Sequence, residues 1–80
     1  IGISTSGNSP NVIKAIDTSN EMGIHTIGLS GPGGQLKSAA ALPLCVDSGT
    51  TARIQESHAL VGHMLCLLID RILFPEQVPR

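Results

Sequence analysis

The spacing of apolar residues changes several times along the chain, and each change marks a predicted element. Val12, Ile13 and Ile16 recur at helical spacing, whereas other apolar runs are short, β-branched and bounded by Gly or Pro. The pattern predicts strands over 1–4, 24–29 and 42–46, and helices over 10–22, 35–40 and 51–74. Strands that alternate with helices predict an α/β fold with a parallel sheet and right-handed crossovers.

The first and last predicted helices carry terminal and packing signals. Ser9 followed by Pro10 is typical of an N-cap and a first helical position, and Gly23 is typical of a helix end. In the last helix the apolar face widens until 64–69 is apolar all round, which predicts burial on more than one side. A chain of 80 residues has little to cover that surface with, so we expect subunit packing or a missing part of the protein to cover it.

Composition narrows the class of protein. The chain has 80 residues and opens on an apolar run instead of Met, so we expect the C-terminal part of one domain in a longer protein. The net charge is -1 and the basic residues are scattered, which argues against direct nucleic-acid binding. No apolar run approaches the roughly 20 residues that a membrane helix needs. Cys45 and Cys66 lack CxxC spacing and are typical of small buried hydrophobes in a reducing cytosol.

A run of small polar residues joins the first strand to the first helix, and we call residues 4–9 the phosphate loop. Its members are Ser4, Thr5, Ser6, Gly7, Asn8 and Ser9. In a parallel sheet this loop and the loop at 30–34 lie beyond the carboxyl ends of the strands, where ligands bind. The helix start offers amides and a positive dipole to an anion, and the loop lacks the Lys of a Walker motif, which favours a monophosphate. An ordinary capped turn uses the same residue types, although four hydroxyls exceed what capping requires.

Polar side chains also lie in the first half of the last helix. Gln55 and His63 are eight residues apart, which is about 80° round the helix and roughly 12 Å along it. They could share one metal only if both side chains reach inward or the helix begins irregularly, so spacing alone predicts no metal. Arg53 and Glu56 are most simply a surface pair, and His58 is most simply a packed or partly exposed helix residue.

Two segments resemble motifs of a known family. The sequence GISTSGNSPNVI at 2–13 resembles the phosphate loop of sugar isomerase (SIS) domains. The sequence TARIQESH at 51–58, with His63 after it, resembles the C-terminal signature of the phosphoheptose isomerase branch. The resemblance covers essentially the whole chain. It implies a flavodoxin-like α/β three-layer sandwich with a parallel sheet, in which 1–80 is the C-terminal part of a single SIS domain, incomplete at the N-terminus.

The resemblance also implies an activity and a site. The family enzymes convert sedoheptulose 7-phosphate to D-glycero-D-manno-heptose 7-phosphate, at the start of heptose synthesis for lipopolysaccharide, and are cytoplasmic homotetramers. The resemblance assigns the substrate phosphate to Ser4, Thr5, Ser6 and Ser9. It makes Gln55 and His63 two ligands of a zinc ion, with a His and a Glu from a helix outside this chain. His63 is also an acid/base group in the family, and the chain alone would be inactive.

A non-catalytic member of the same branch gives an alternative. It is a tetrameric protein that associates with the bacterial replication initiator DnaA, and it has the Arg-Ile-Gln-Glu run and an ending similar to 67–75. It lacks a histidine at the position of His63, so the sequence favours the enzyme. Ala52 stands where some members of the branch carry an acidic residue, so one substrate contact is absent or replaced.

Overall fold

The computed structural model describes residues 1–77, and the six predicted elements follow one another along them. The strands are β1 (Gly2–Ser4), β2 (Ile27–Ser30) and β3 (Leu42–Cys45). The helices are α1 (Pro10–Glu21), α2 (Leu36–Ala39) and α3 (Thr51–Leu73). The order and type of all six elements are confirmed. The end of the predicted domain, at 78–80, lies outside the described residues.

The three strands form one parallel sheet in the order β1-β2-β3. The register pairs Ser4 with Ser30, and Ser30 with Cys45, so the last residues of the strands lie side by side. Neighbouring parallel strands need a crossover connection, which α1 and α2 supply. The carboxyl ends of all three strands therefore meet at one edge of the sheet, as the α/β prediction requires.

One face of the sheet is covered by α1 and α2, and two glycines allow the helices to come close. A Cβ on Gly2 would lie 3.0 Å from Cγ1 of Ile16, and a Cβ on Gly28 would lie 2.8 Å from the Cβ of Ala40. Ile16, Leu36 and Ala40 form the buried cluster on this face. Because such positions have no room for a methyl group, the helix-to-sheet distance depends on glycine here.

The opposite face of the sheet is packed by the first half of α3, which completes three layers and confirms the predicted fold class. Ile54 and His58 are the buried residues of this helix, and Leu29 of β2 is 1% exposed. From Leu60 to its end, α3 exposes a series of large apolar residues: Leu60, Met64, Leu67, Leu68, Ile69, Ile72 and Leu73. Nothing within 1–77 covers them, so the origin of their cover stays a prediction.

The structure corrects two expectations from sequence. The strand predicted over 24–29 runs from Ile27 to Ser30, and Ile24, which precedes it, is exposed. Cys45 and Cys66 are exposed, so the prediction of buried cysteines is wrong. Cys45 ends an edge strand and Cys66 lies on the uncovered half of α3. Among residues 1–77, no helix combines the length and apolar character that crossing a membrane requires.

Candidate phosphate-binding crevice

A crevice of about 620 Å³ opens at the edge of the sheet where the three strands end. Three connections line it: Thr5, Ser6 and Ser9 after β1, Pro32 and Gly33 after β2, and Ser48, Gly49, Thr51 and Ile54 at the start of α3. This is the location in which parallel α/β sheets bind ligands. The structure thus brings three of the four predicted phosphate-binding hydroxyls to one solvent-accessible cavity.

Ser4, the fourth of these residues, lies behind the other three. Its hydroxyl accepts hydrogen bonds from the amides of Gly7 (3.1 Å) and Ser9 (3.3 Å), and its oxygen lies 2.7 Å from Oγ of Ser9. It is 4% exposed, because the last residue of β1 points to the same sheet face as Gly2, below the start of α1. Ser4 therefore fixes the shape of the phosphate loop from inside.

The start of α1 is left open to the crevice. Ser9 adopts the extended N-cap conformation and Pro10 occupies the first turn, as predicted. The Ser9 hydroxyl nevertheless makes no capping hydrogen bond, because it pairs with Ser4. Within the described part of the chain no side chain caps α1, so its first amides and its dipole stay available to an anion.

Gln55 and His63, the two proposed zinc ligands, are exposed on α3 and lie outside the crevice lining. The helix runs unbroken from Thr51 to Leu73, which removes an irregular start as a way to bring them together. They are about 12 Å apart along the axis, so a single ion could contact both only through extended side chains. Imidazole nitrogen is a common zinc donor and amide oxygen is an unusual one, so this pair could supply two of the four positions of a zinc site. No group of three His, Cys, Asp or Glu residues within 1–77 could hold a metal.

His58 connects α3 to the end of β2 beside the crevice. It is 5% exposed, and its Nε2 donates a hydrogen bond to the carbonyl oxygen of Ser30 at 3.0 Å. Its Nδ1 has no hydrogen-bond partner among the described residues. The packed role expected for His58 is confirmed. The surface pair expected from sequence is also confirmed, because Nη2 of Arg53 lies 2.7 Å from Oε1 of Glu56 and both side chains are exposed.

Sequence reasoning missed the third wall of the crevice. Ser48, Gly49 and Thr51 follow β3 and line the cavity opposite the phosphate loop. The signal was available, because the strand-end rule applies to every strand of a parallel sheet and the loop at 47–50 follows the third one. These residues add two hydroxyl groups to the three supplied by the phosphate loop.

Comparison with known proteins shows which proteins the chain is similar to. No protein-family model matches the chain. The chain is 53% identical over 75 residues to the phosphoheptose isomerase of Citrifermentans bemidjiense, which covers 92% of the chain and 39% of that protein. It is 47% identical over 79 residues to the phosphoheptose isomerase of Clostridium acetobutylicum, covering 98% and 40% respectively. The chain is homologous to part of the phosphoheptose isomerases.

The phosphoheptose isomerase homology confirms the resemblance that the two sequence motifs indicated. The chain spans about 39% of the length of the first relative. A relative from a Geobacter strain, M21, shows 52% identity over 75 residues and also covers 92% of the chain.

Proposed function

We propose that the whole protein is a sugar-phosphate isomerase and that this chain supplies its phosphate-binding crevice. The observation that carries the proposal is the crevice, in which three hydroxyl side chains meet the open start of α1. The homology to phosphoheptose isomerases supports it, because the name of those relatives describes an isomerase of a phosphorylated heptose. The chain is then the C-terminal part of a single SIS domain.

The substrate we propose is sedoheptulose 7-phosphate, with D-glycero-D-manno-heptose 7-phosphate as product. Thr5, Ser6 and Ser9 would donate hydrogen bonds to the phosphate, and Ser4 would hold them in place from behind. No Lys or Arg lines the crevice in the described part of the chain. Neutral donors and a helix dipole suit a monophosphate, which carries less charge to neutralise than a nucleoside triphosphate.

The reaction we propose moves a proton between two adjacent carbons of the sugar through an enediol. A base must take the proton from the carbon beside the carbonyl while the carbonyl oxygen gains a proton, which gives the enediol. The other enediol hydroxyl then gives up its proton while the former carbonyl carbon receives one. Zinc, when bound, would polarise the sugar carbonyl as a Lewis acid. Gln55 and His63 would hold that ion together with two ligands from outside this chain. A ring nitrogen of His63 that binds zinc cannot transfer a proton, so an acid/base role would use the other nitrogen.

We also propose that the protein is a cytoplasmic homotetramer that acts in heptose synthesis for lipopolysaccharide. The exposed apolar half of α3 supports an assembly, because a patch of this kind is expected to be covered in the complete protein. The interaction protein that associates with DnaA is the alternative from sequence, and it stays a prediction.

The test is steady-state kinetics of the full-length protein with sedoheptulose 7-phosphate. Ser6→Ala removes a crevice hydroxyl, and Ser38→Ala removes an exposed hydroxyl of α2 as the matched control. A hydrogen bond to a charged group is worth about 1.5–3 kcal/mol, so Ser6→Ala should raise KM by about 10- to 150-fold. Ser38→Ala should leave KM unchanged. Absence of turnover in the zinc-loaded wild type, together with binding to purified DnaA, would replace the isomerase with the alternative.

A further inference from the structure

We propose that the loop after β2 is a positioning element for the phosphate loop and that Gly34 is its critical residue. We call residues 31–35 the support loop. The inference rests on the proposed function, because it concerns the same crevice. It states that the phosphate loop acquires its binding shape from a second segment, which lies against its backbone, as well as from its own sequence.

Hydrogen bonds from the support loop and α2 hold two carbonyl groups of the phosphate loop. The carbonyl oxygen of Thr5 accepts from the amide of Gly31 at 3.1 Å. The carbonyl oxygen of Gly7 accepts from two amides, those of Gln35 at 2.8 Å and Leu36 at 2.9 Å. Because C=O and N–H point in opposite directions across a trans peptide, these bonds also set the direction of the amides of the next residues.

The direction of these peptides matters because an anion is attracted by N–H groups and repelled by carbonyl oxygens. A carbonyl engaged by the support loop cannot turn into the crevice without losing its hydrogen bond. Asn8 adds a side-chain contact, since its Oδ1 accepts from the amide of Gln35 at 3.2 Å. The support loop therefore opposes the rotation that would bring negative partial charge toward a bound phosphate.

The two loops touch through backbone atoms, and this contact requires glycine on both sides. Gly7 and Gly34 have positive φ angles of 74° and 85°. A Cβ on Gly34 would lie 2.5 Å from Cα of Gly7 and closer still to the carbonyl oxygen of Ser6. A Cβ on Gly7 would lie 2.5 Å from the carbonyl oxygen of Gly33. Since no flexible side-chain end can rotate away, a methyl group at Gly34 must push the loops apart.

Gly34 does not line the crevice, so its effect on a ligand must pass through the phosphate loop. The experiment compares Gly34→Ala with Gly23→Ala in the full-length protein. Gly23 has a similar positive φ of 75°, but a Cβ there meets nothing within 4 Å. The control therefore reproduces the conformational strain of an alanine at positive φ and lacks the contact between the loops.

The measurements are KM and kcat for sedoheptulose 7-phosphate and the inhibition constant of inorganic phosphate. Loss of one aligned donor predicts that Gly34→Ala raises both KM and the inhibition constant about tenfold or more relative to Gly23→Ala. A purely structural role would act differently, because fewer folded molecules lower kcat at an unchanged KM. A raised KM therefore indicates that Gly34 positions the phosphate loop, whereas a lowered kcat at an unchanged KM indicates only a loss of folded protein.

Asn8→Ala is a second variant that introduces no backbone strain, and it should raise KM severalfold by removing the Oδ1 contact. If Gly34→Ala folds and its KM lies within about twofold of the Gly23→Ala value, the inference is wrong. If Gly34→Ala does not fold, an unchanged KM in Asn8→Ala overturns it. A wild-type protein that neither turns over the sugar phosphate nor binds phosphate overturns the proposed function instead.

Discussion

Gly31 and Ile54 form a contact through which α3 packs against the loop behind the crevice, and we predict that substitutions at the two positions are energetically coupled. A Cβ on Gly31 would lie 2.8 Å from Cδ1 of Ile54 and 3.0 Å from the carbonyl oxygen of Thr5. Carbon atoms pack best at about 3.5–4.0 Å, so Gly31→Ala requires one side to move by roughly 1 Å. Ile54→Val removes the Cδ1 atom that causes the closest clash.

The expected free energies follow from these distances. Overpacking makes Gly31→Ala destabilising by about 1–3 kcal/mol, offset by about 0.4–1 kcal/mol from the reduced freedom of the unfolded chain. Ile54 is 4% exposed, and loss of its methyl group should cost about 0.5–1.5 kcal/mol. The next Ile54 atom, Cγ1, would lie 3.7 Å from the new Cβ, which is an ordinary contact. The double variant should therefore lose less unfolding free energy than the two single variants together, by about 1 kcal/mol. The contact between the new Cβ and the carbonyl oxygen of Thr5 remains in the double variant.

The assay is urea unfolding of the full-length protein at one protein concentration, followed by circular dichroism. The free energies of the wild type, the two single variants and the double variant are compared only if all four proteins unfold with similar m values. Gly62→Ala combined with Ile54→Val is the control pair, because a Cβ on Gly62 meets nothing within 4 Å and should add independently. Additivity of Gly31→Ala and Ile54→Val within about 0.5 kcal/mol would refute the packing argument.

Two further predictions concern a buried hydroxyl and the proposed metal. Thr26→Val should lower the free energy of unfolding by about 1–3 kcal/mol, because Thr26 is 3% exposed and its Oγ1 accepts from the amide of Ala41 and donates to Asn20. A change below about 0.5 kcal/mol in urea unfolding would contradict this prediction. His63→Ala should reduce the zinc content of the full-length protein by atomic absorption, whereas Arg53→Ala should not; equal zinc in both variants would disprove the ligand assignment.

The order of elements could be predicted because short, local signals determine it. Glycine and proline punctuation separates the apolar runs, and strand–helix alternation then fixes a parallel sheet. The start of β2 could not be predicted in this way. The carbonyl oxygen of Thr26 still accepts from the amide of Leu42, while its side chain bonds to Asn20 and Ala41, which are six and fifteen residues away. A propensity pattern does not record partners at such separations.

The candidate site was predicted in its position more than in its detail. The strand-end rule correctly placed residues 4–9 beside a crevice, whereas their binding of phosphate stays a prediction. The rule does not say which hydroxyls face the cavity. Ser4 points inward because it is still part of β1, whereas Thr5 and Ser6 follow the strand. The exposure of Cys66 was missed for another reason, since composition does not reveal which helix faces the described chain leaves uncovered.

Because α3 is one continuous helix, it is packed at one end and extends freely from the described sheet at the other. The helix is held at Ile54 and His58, close to the crevice, and about 22 Å of it extends from His58 to Leu73. A tilt of about 5° around the held end would move Leu73 by about 2 Å. The exposed apolar residues and the crevice wall at Thr51 and Ile54 therefore belong to one continuous helix, so a displacement of its outer end would be transmitted along α3 to the crevice.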